Sequence, residues 1–191
     1  MTQLVIGLSG TPGTGKTTIA NILTGMLSAL HLNLTEIAIQ NDFILEDDLE
    51  RNTKVADLDR IQQYLTVQIT STSRNIIIEG HYADIIPDRL LTMLIILRTS
   101  PNVLEKRLIA KNFFAPKVLE NLQSEILGSC TKAALDLHNK QKLYELDTSF
   151  QSPEDVAHQI LRLIQERPRS NVGQINWMHD LSAEETLRYF P

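Results

Sequence analysis

Gly10-Thr11-Pro12-Gly13-Thr14-Gly15-Lys16-Thr17 follows directly on the apolar run Leu4 to Leu8. It has the G-x-x-x-x-G-K-[ST] spacing of a phosphate-binding loop, in the strand-then-helix setting that the motif needs. Glycines at 10, 13 and 15 reach backbone conformations closed to residues with a Cβ, so the N–H groups around Gly13, Thr14 and Gly15 can converge on phosphate oxygens. The helix that follows adds its positive end. Lys16 supplies a point charge for the outer phosphates, and the Thr17 hydroxyl is a ligand for the magnesium that bridges them. Thr18 is the candidate contact for the α-phosphate. The chemistry this spacing predicts is the binding of a nucleoside triphosphate with Mg2+.

A phosphate loop alone does not separate a kinase from a GTPase or a motor, so further residues must decide. The run Ile76-Ile77-Ile78-Glu79-Gly80-His81 puts an acid at the carboxyl end of an apolar strand, where Glu79 can face the metal through a water from the side opposite Thr17. The same position also suits an ordinary solvated strand end. His81 continues the alternation of Glu79 and so points the same way, toward water or phosphate, or serves the structure alone. Past the next strand, Arg107 and Lys111 stand four apart at helical spacing. Cations so placed either close over a migrating phosphoryl group or form a solvated face.

The elements that must position these groups alternate. Strand-like runs lie at Val5 to Leu8, Leu34 to Ile39, Asn75 to Glu79, Leu94 to Leu97 and Lys142 to Asp147. Helical spacing lies at Thr17 to Leu30, Asp57 to Ser71, Asn102 to Ala110, Pro116 to Asn139 and Pro153 to Gln165. Several strands are apolar throughout, as a sheet covered on both faces requires. The expected architecture is α/β: a three-layer P-loop NTPase with a five-stranded parallel sheet and helices on both faces. The 191 residues suffice for one such core, expected over 1–167. The stretch Glu166 to Gly173 then reads as a break, and 168–191 as a C-terminal appendage whose Trp177, Met178, Leu181, Leu187, Tyr189 and Phe190 dock on the domain.

Composition narrows the function classes. A net charge of −5 argues against broad attraction to nucleic acid or an anionic membrane, and no direct sequence-specific nucleic-acid contact is expected. The single Cys130 forms no internal disulfide and reads as a small packed residue. The apolar stretch near the amino end is short, has no basic preface and runs straight into the loop, so it reads as a strand and not a signal peptide. No segment is long enough to span a bilayer. The expected location is cytoplasmic.

Taken together, the Gly10 to Thr18 loop, Glu79-Gly80-His81, Leu97-Arg98-Thr99, Asn102-Val103-Leu104-Glu105-Lys106-Arg107-Leu108 and Ala110-Lys111-Asn112-Phe113 resemble the adenylate kinase isoenzyme 6 (CINAP) family, especially its archaeal members. Glu120-Asn121-Leu122-Gln123-Ser124-Glu125, Tyr144-Glu145-Leu146-Asp147-Thr148, Ser152-Pro153-Glu154-Asp155 and the Gly173 to Trp177 segment extend the resemblance over nearly the whole chain. The resemblance implies a nucleoside monophosphate kinase-like fold with a short lid, about 110–120. It implies adenine-nucleotide phosphotransfer with ATP as donor, and an ATPase activity. A further role is implied in maturation of the small ribosomal subunit, with a small-subunit ribosomal protein, the pre-ribosome and rRNA processing as its context. Carried over residue by residue, it assigns Gly13, Thr14, Gly15, Lys16, Thr17 and Thr18 to ATP, Glu79 and His81 to the family's Asp-x-His element, and Lys111 to its lid arginine.

This sequence departs from that pattern at three places. Glu79 stands for Asp and adds a methylene, Lys111 stands for Arg and gives one compact charge in place of a planar fork, and Asn112 stands for the lid glycine. Asn enters left-handed backbone more readily than most residues. The acceptor, AMP or another nucleoside monophosphate, is expected at about 33–54. There Glu46, Asp47, Asp48 and Glu50 suggest a solvated flap, and Arg51, Lys54 or Arg60 must offset them to hold a phosphate. The catalytic set expected from sequence is Lys16, Glu79, His81, Arg107 and Lys111.

Overall fold

The structure is a computed structural model that describes residues 3–48 and 53–190. β1 (Val5–Ser9) is buried along its whole length, and the phosphate loop joins it to α1 (Lys16–Leu27). There follow β2 (Leu30–Asn33), α2 (Leu34–Gln40), a hairpin of β3 (Ile44–Asp48) and β4 (Thr53–Ala56), and α3 (Leu58–Thr70). β5 (Ile76–Glu79) and β6 (Met93–Arg98) lead to α4 (Pro101–Ala110), α5 (Ala115–Ile126) and α6 (Ser129–Leu137). β7 (Leu143–Asp147), α7 (Pro153–Glu166), α8 (Trp177–Asp180) and α9 (Ala183–Tyr189) complete the described chain. Among the described residues no helix is long and apolar enough to cross a membrane.

The main sheet has five strands in the order β2-β5-β1-β6-β7, and every pairing in it is parallel. Alternation along each strand sends side chains to opposite faces. Val5, Ile76, Ile78, Leu94 and Ile96 pack with Ile61 and Leu65 of α3 and Ala134 of α6 on one face. Ile6, Leu8, Ile77, Ile95 and Leu97 pack with Ile19 and Leu23 of α1 and with Val156 and Ile160 of α7 on the other. A smaller apolar cluster joins Leu104 and Leu108 of α4 to Val118, Leu122 and Ile126 of α5, and Tyr189, Trp177, Leu181 and Phe190 of the C-terminal segment pack into it.

The three-layer α/β architecture with a five-stranded parallel sheet is as the sequence predicts, and particular elements differ. The second strand is Leu30–Asn33, not Leu34 to Ile39; the latter residues form α2. Leu34, Ile37 and Ala38 are buried at helical spacing, and the Asn33 side chain accepts from the Glu36 N–H to cap the first turn. The expected helix Pro116 to Asn139 is two helices, α5 and α6, because Gly128 turns the chain at φ 65°. The acidic flap is an antiparallel hairpin in its described part, with Asp47 opposite Lys54. Glu50 and Arg51, named as acidic neighbour and candidate cation, lie outside the described residues.

Candidate active site

The loop has the backbone its glycines were expected to allow. Gly10, Gly13 and Gly15 sit at φ 140°, 94° and 99°. A Cβ on Gly10 would stand 2.5 Å from the Leu97 carbonyl oxygen of β6. Thr14 closes the turn by donating from its N–H (3.3 Å) and its hydroxyl (2.9 Å) to the Thr11 carbonyl. Gly15 occupies the N-cap of α1 in left-handed conformation and offers no side chain to the first turn. The first backbone bond of that helix runs from the Ile19 N–H to the Gly15 carbonyl, 3.0 Å. The amides of Lys16, Thr17 and Thr18 therefore precede any intrahelical partner and have no capping oxygen, which is the geometry that takes phosphate oxygens.

Lys16 curls over this loop, its Nζ donating to the Gly10 carbonyl at 2.7 Å and the Thr11 carbonyl at 3.1 Å. Burial pushes the Lys16 ammonium below its ordinary value, opposed by the nearby Glu79 and Glu125 carboxylates. Thr17 and Thr18 are exposed on the first turn of α1. Among the described residues no three His, Cys, Asp or Glu side chains converge as a metal cage. A site of one hydroxyl beside phosphate oxygens still suits Mg2+, which keeps most of its waters and binds through few protein groups.

Strand register brings Glu79 to this loop. Leu8 pairs with Glu79, and Asn33 pairs with Glu79 from the other side, so the carboxyl ends of β1, β5 and β2 form one row. Glu79 is 2% exposed. Its Oε1 accepts from Asn33 Nδ2 at 2.6 Å, and His31 Nε2 lies 3.8 Å away. His81 lies on the loop as well, with Nδ1 3.5 Å from the Gly10 carbonyl and 3.6 Å from Cys130 Sγ. Burial, and then the Lys16 charge, hold the His81 imidazole below its ordinary value. A neutral ring at physiological pH can accept or relay a proton but carries no charge for a phosphate. The Cys130 thiol is pushed up to about 11 by burial and stays protonated beside it.

The two cations predicted for the lid have different surroundings. Arg107 reaches back from α4 to the loop: Nη2 donates to the Thr148 carbonyl at 2.6 Å, and Nη1 lies 3.5 Å from the Gly13 carbonyl. Thr148 in turn donates to the Thr14 carbonyl at 3.0 Å, so Arg107 and the segment after β7 brace the same turn. Lys111 is the C-cap of α4 and is exposed, yet its charge is felt at Lys16. Asn112 next to it adopts φ 58°, a left-handed turn that Asn enters more readily than most residues. In the acceptor region, Arg60 lies 4.5 Å over the Phe43 ring and donates to the Asp42 carbonyl at 3.1 Å. That candidate cation is engaged with its own neighbourhood.

Sequence reasoning assigned no role to Glu125, which the structure sets directly under the loop. Its Oε2 accepts from the Thr11 hydroxyl at 2.6 Å, and its Oε1 accepts from the Thr99 N–H at 3.0 Å. The signal was present in the helical period: Val118, Leu122, Glu125 and Ile126 share the buried stripe of α5. A carboxylate on an apolar stripe needs buried partners. Asn33 and His31 were missed because the strand holding them was placed four residues late.

Residues 6–128 match the AAA domain family. Among curated proteins, one from Methanococcus maripaludis named "Putative adenylate kinase" is 31% identical over 183 residues, 93% of this chain and 97% of the relative. One of the same name from Methanocaldococcus jannaschii is 30% identical over 173 residues, covering 90% and 92%. Solved structures with the same fold include shikimate kinase from Acinetobacter baumannii, with TM-score 0.58 and 19% identity over 86% of this chain and 94% of that one. Thymidylate kinase from Candida albicans aligns with TM-score 0.57 and 14% identity, over 86% and 92%. With a phosphate loop on β1, an acid ending β5 and relatives matched over nine-tenths or more of their length, this chain belongs to the AAA domain family, in the group whose archaeal members carry the name "Putative adenylate kinase".

Proposed function

We propose that the chain is a cytoplasmic, Mg2+-dependent nucleoside monophosphate kinase that transfers a phosphoryl group from ATP to AMP, giving ADP from both. The observation that carries this reading is the uncapped first turn of α1 behind Gly15, with Lys16 above it and buried Glu79 beside it. The names of the archaeal relatives support adenine nucleotides as the substrate class. In this mechanism the amides of Gly13, Thr14, Gly15, Lys16, Thr17 and Thr18 and the Lys16 ammonium hold the donor phosphates. Magnesium, when bound, would supply positive charge to the donor phosphates. Thr17 would ligate the ion, and Glu79, oriented by Asn33, would hold one of its waters. His81 stays uncharged and positions water or phosphate. Arg107 keeps the loop and the segment after β7 in register, and Lys111 contributes positive charge over the transferring group. Transfer is direct and in line.

Incubation of purified protein with ATP and Mg2+, with and without AMP, tests the reading when ADP is resolved from free phosphate. AMP-dependent ADP without matching phosphate is the expected result, and Lys16→Ala abolishes it. Phosphate release that ignores AMP would refute the kinase and favour a second reading. In that reading the chain is an ATPase assembly factor for the small ribosomal subunit, binding a ribosomal protein, with incidental kinase activity. Its support is Lys111 itself, an exposed single-point cation at the end of α4. A lysine there screens a migrating phosphoryl group less completely than a two-pronged guanidinium. Stimulation of phosphate release by a small-subunit ribosomal protein is the result it expects.

A further inference from the structure

Beneath the loop, buried charge joins distant parts of the chain. Arg98, at the end of β6, donates from Nε to Glu125 Oε1 at 2.8 Å and from Nη1 to Glu145 Oε1 at 2.7 Å. Arg98 and Glu125 are 2% exposed and Glu145 is 1% exposed. Two carboxylates thus share one guanidinium, and the surplus negative charge must be met by neutral donors, because a buried charge without partners is costly.

The segment after α7 supplies them. The Gly173 and Ile175 N–H groups point at Glu145 Oε2, at 2.7 and 3.4 Å. The Ile175 carbonyl accepts from Arg98 Nη1 at 3.3 Å. The Trp177 indole Nε1 donates to Glu125 Oε1 at 3.0 Å. Glu125 Oε2 is the oxygen that takes the Thr11 hydroxyl, and the Thr11 carbonyl is the one on which Lys16 and Thr14 both rest. A carboxylate is planar, so donors that fix Oε1 also aim Oε2.

We infer that Trp177 is a positioning residue of the donor site: its indole N–H orients Glu125, Glu125 holds Thr11, and Thr11 sets the phosphate loop. The inference rests on the reading of that loop as the ATP site. It makes the stretch from Gly173 to Trp177 a working part of the nucleotide site, reached through hydrogen bonds and not through contact with substrate.

Two variants of the full chain break the link from either end. Trp177→Phe keeps an aromatic ring and loses the N–H, and Thr11→Val keeps the shape and loses the hydroxyl. The first readout needs no nucleotide: amide hydrogen exchange in peptides spanning 10–18 is expected to rise several-fold in both variants, with β5 and β6 unchanged. The second is affinity for MgATP by calorimetry together with steady-state kinetics. KM for ATP is expected to rise about 3- to 10-fold, less than the full worth of one hydrogen bond to a charged group because the link to the nucleotide is indirect, with KM for AMP unmoved. The double variant is expected to be no worse than either single one, since both cut the same chain. Loop exchange at the wild-type rate in a folded Trp177→Phe protein, or additive losses in the double variant, would overturn the inference. Should Trp177→Phe fail to fold, Thr11→Val decides by the same two readouts, together with a change in emission from Trp177, the only tryptophan. If exchange rises in the variants while the wild-type protein binds no MgATP, the positioning link stands and the donor-site reading falls.

Discussion

Gly10→Ala is the substitution whose cost the geometry of the loop defines most sharply. Gly10 sits at φ 140°, and a Cβ there would meet the Leu97 carbonyl oxygen at 2.5 Å and Thr14 Oγ1 at 2.9 Å. The hydroxyl can rotate away, but Leu97 lies inside the sheet, fully buried and paired with Leu146 of β7. The loop must therefore yield. A non-glycine residue held in such backbone costs about 1–3 kcal/mol, and the contact with a fixed carbonyl adds on the order of 1–3 kcal/mol in displaced packing. A total of about 2–6 kcal/mol falls partly on stability and partly on loop conformation, so MgATP affinity drops by roughly 10²-fold and Tm falls by several degrees. Gly25→Ala is the matched control. Gly25 is exposed near the end of α1, and a methyl group added there would meet nothing within 4 Å; the same change stabilises by about 0.5–1 kcal/mol and leaves ATP binding alone. Calorimetric titration with MgATP and thermal unfolding of the two variants give the comparison. If Gly10→Ala bound MgATP as the wild type does, the assignment of the loop backbone to phosphate would be wrong.

Other substitutions test the neighbouring groups. Glu79→Gln preserves volume and the Asn33 contact partner while removing charge, and kcat is expected to fall about 10²-fold with ATP affinity changed little; an unchanged kcat and Mg2+ dependence would remove Glu79 from the mechanism. Lys111→Arg is expected to raise AMP-dependent transfer several-fold in a coupled ADP assay, and an equal rate would show that the cation at this position does not limit it. His81, held below its ordinary value of 6.5 by burial and then by Lys16, takes up its proton later in the folded state than in the unfolded one. As pH falls through about 6.5 the unfolded chain binds the extra proton and stability is lost; His81→Gln is expected to flatten the decline of Tm between pH 7.5 and 5.5, and parallel curves would reject the effect.

The parts of the site that could be read along the chain are those built from near neighbours. The loop is one turn between a strand and a helix, and its glycines announce their φ values by type alone. Glu79 was legible because it ends an apolar run, and the turn at Asn112 because Asn tolerates left-handed backbone. Leu34 to Ile39 misled because a short apolar stretch fits either period, and what decided it was a cap from Asn33 that composition does not reveal. The charged cluster was illegible for a different reason. Thr11 and Glu125 are 114 residues apart, and Glu125 and Trp177 are 52 apart. Nothing local in α5 or in the C-terminal segment says that they meet. Arg107 stood out by its spacing from Lys111, yet its bonds to Thr148 depend on where β7 ends in the sheet, which spacing alone does not supply.

The strand order also governs how this chain can assemble. β1 is made well before its sheet partners, which begin at Ile76 and Met93, and β7 at Leu143 follows later still. This apolar strand thus waits until Arg98 has been made before both of its edges can be paired. Such distant closure is slow and leaves sticky intermediates exposed, so this protein is expected to refold sluggishly from denaturant and to gain markedly in yield when a chaperone is present during its translation.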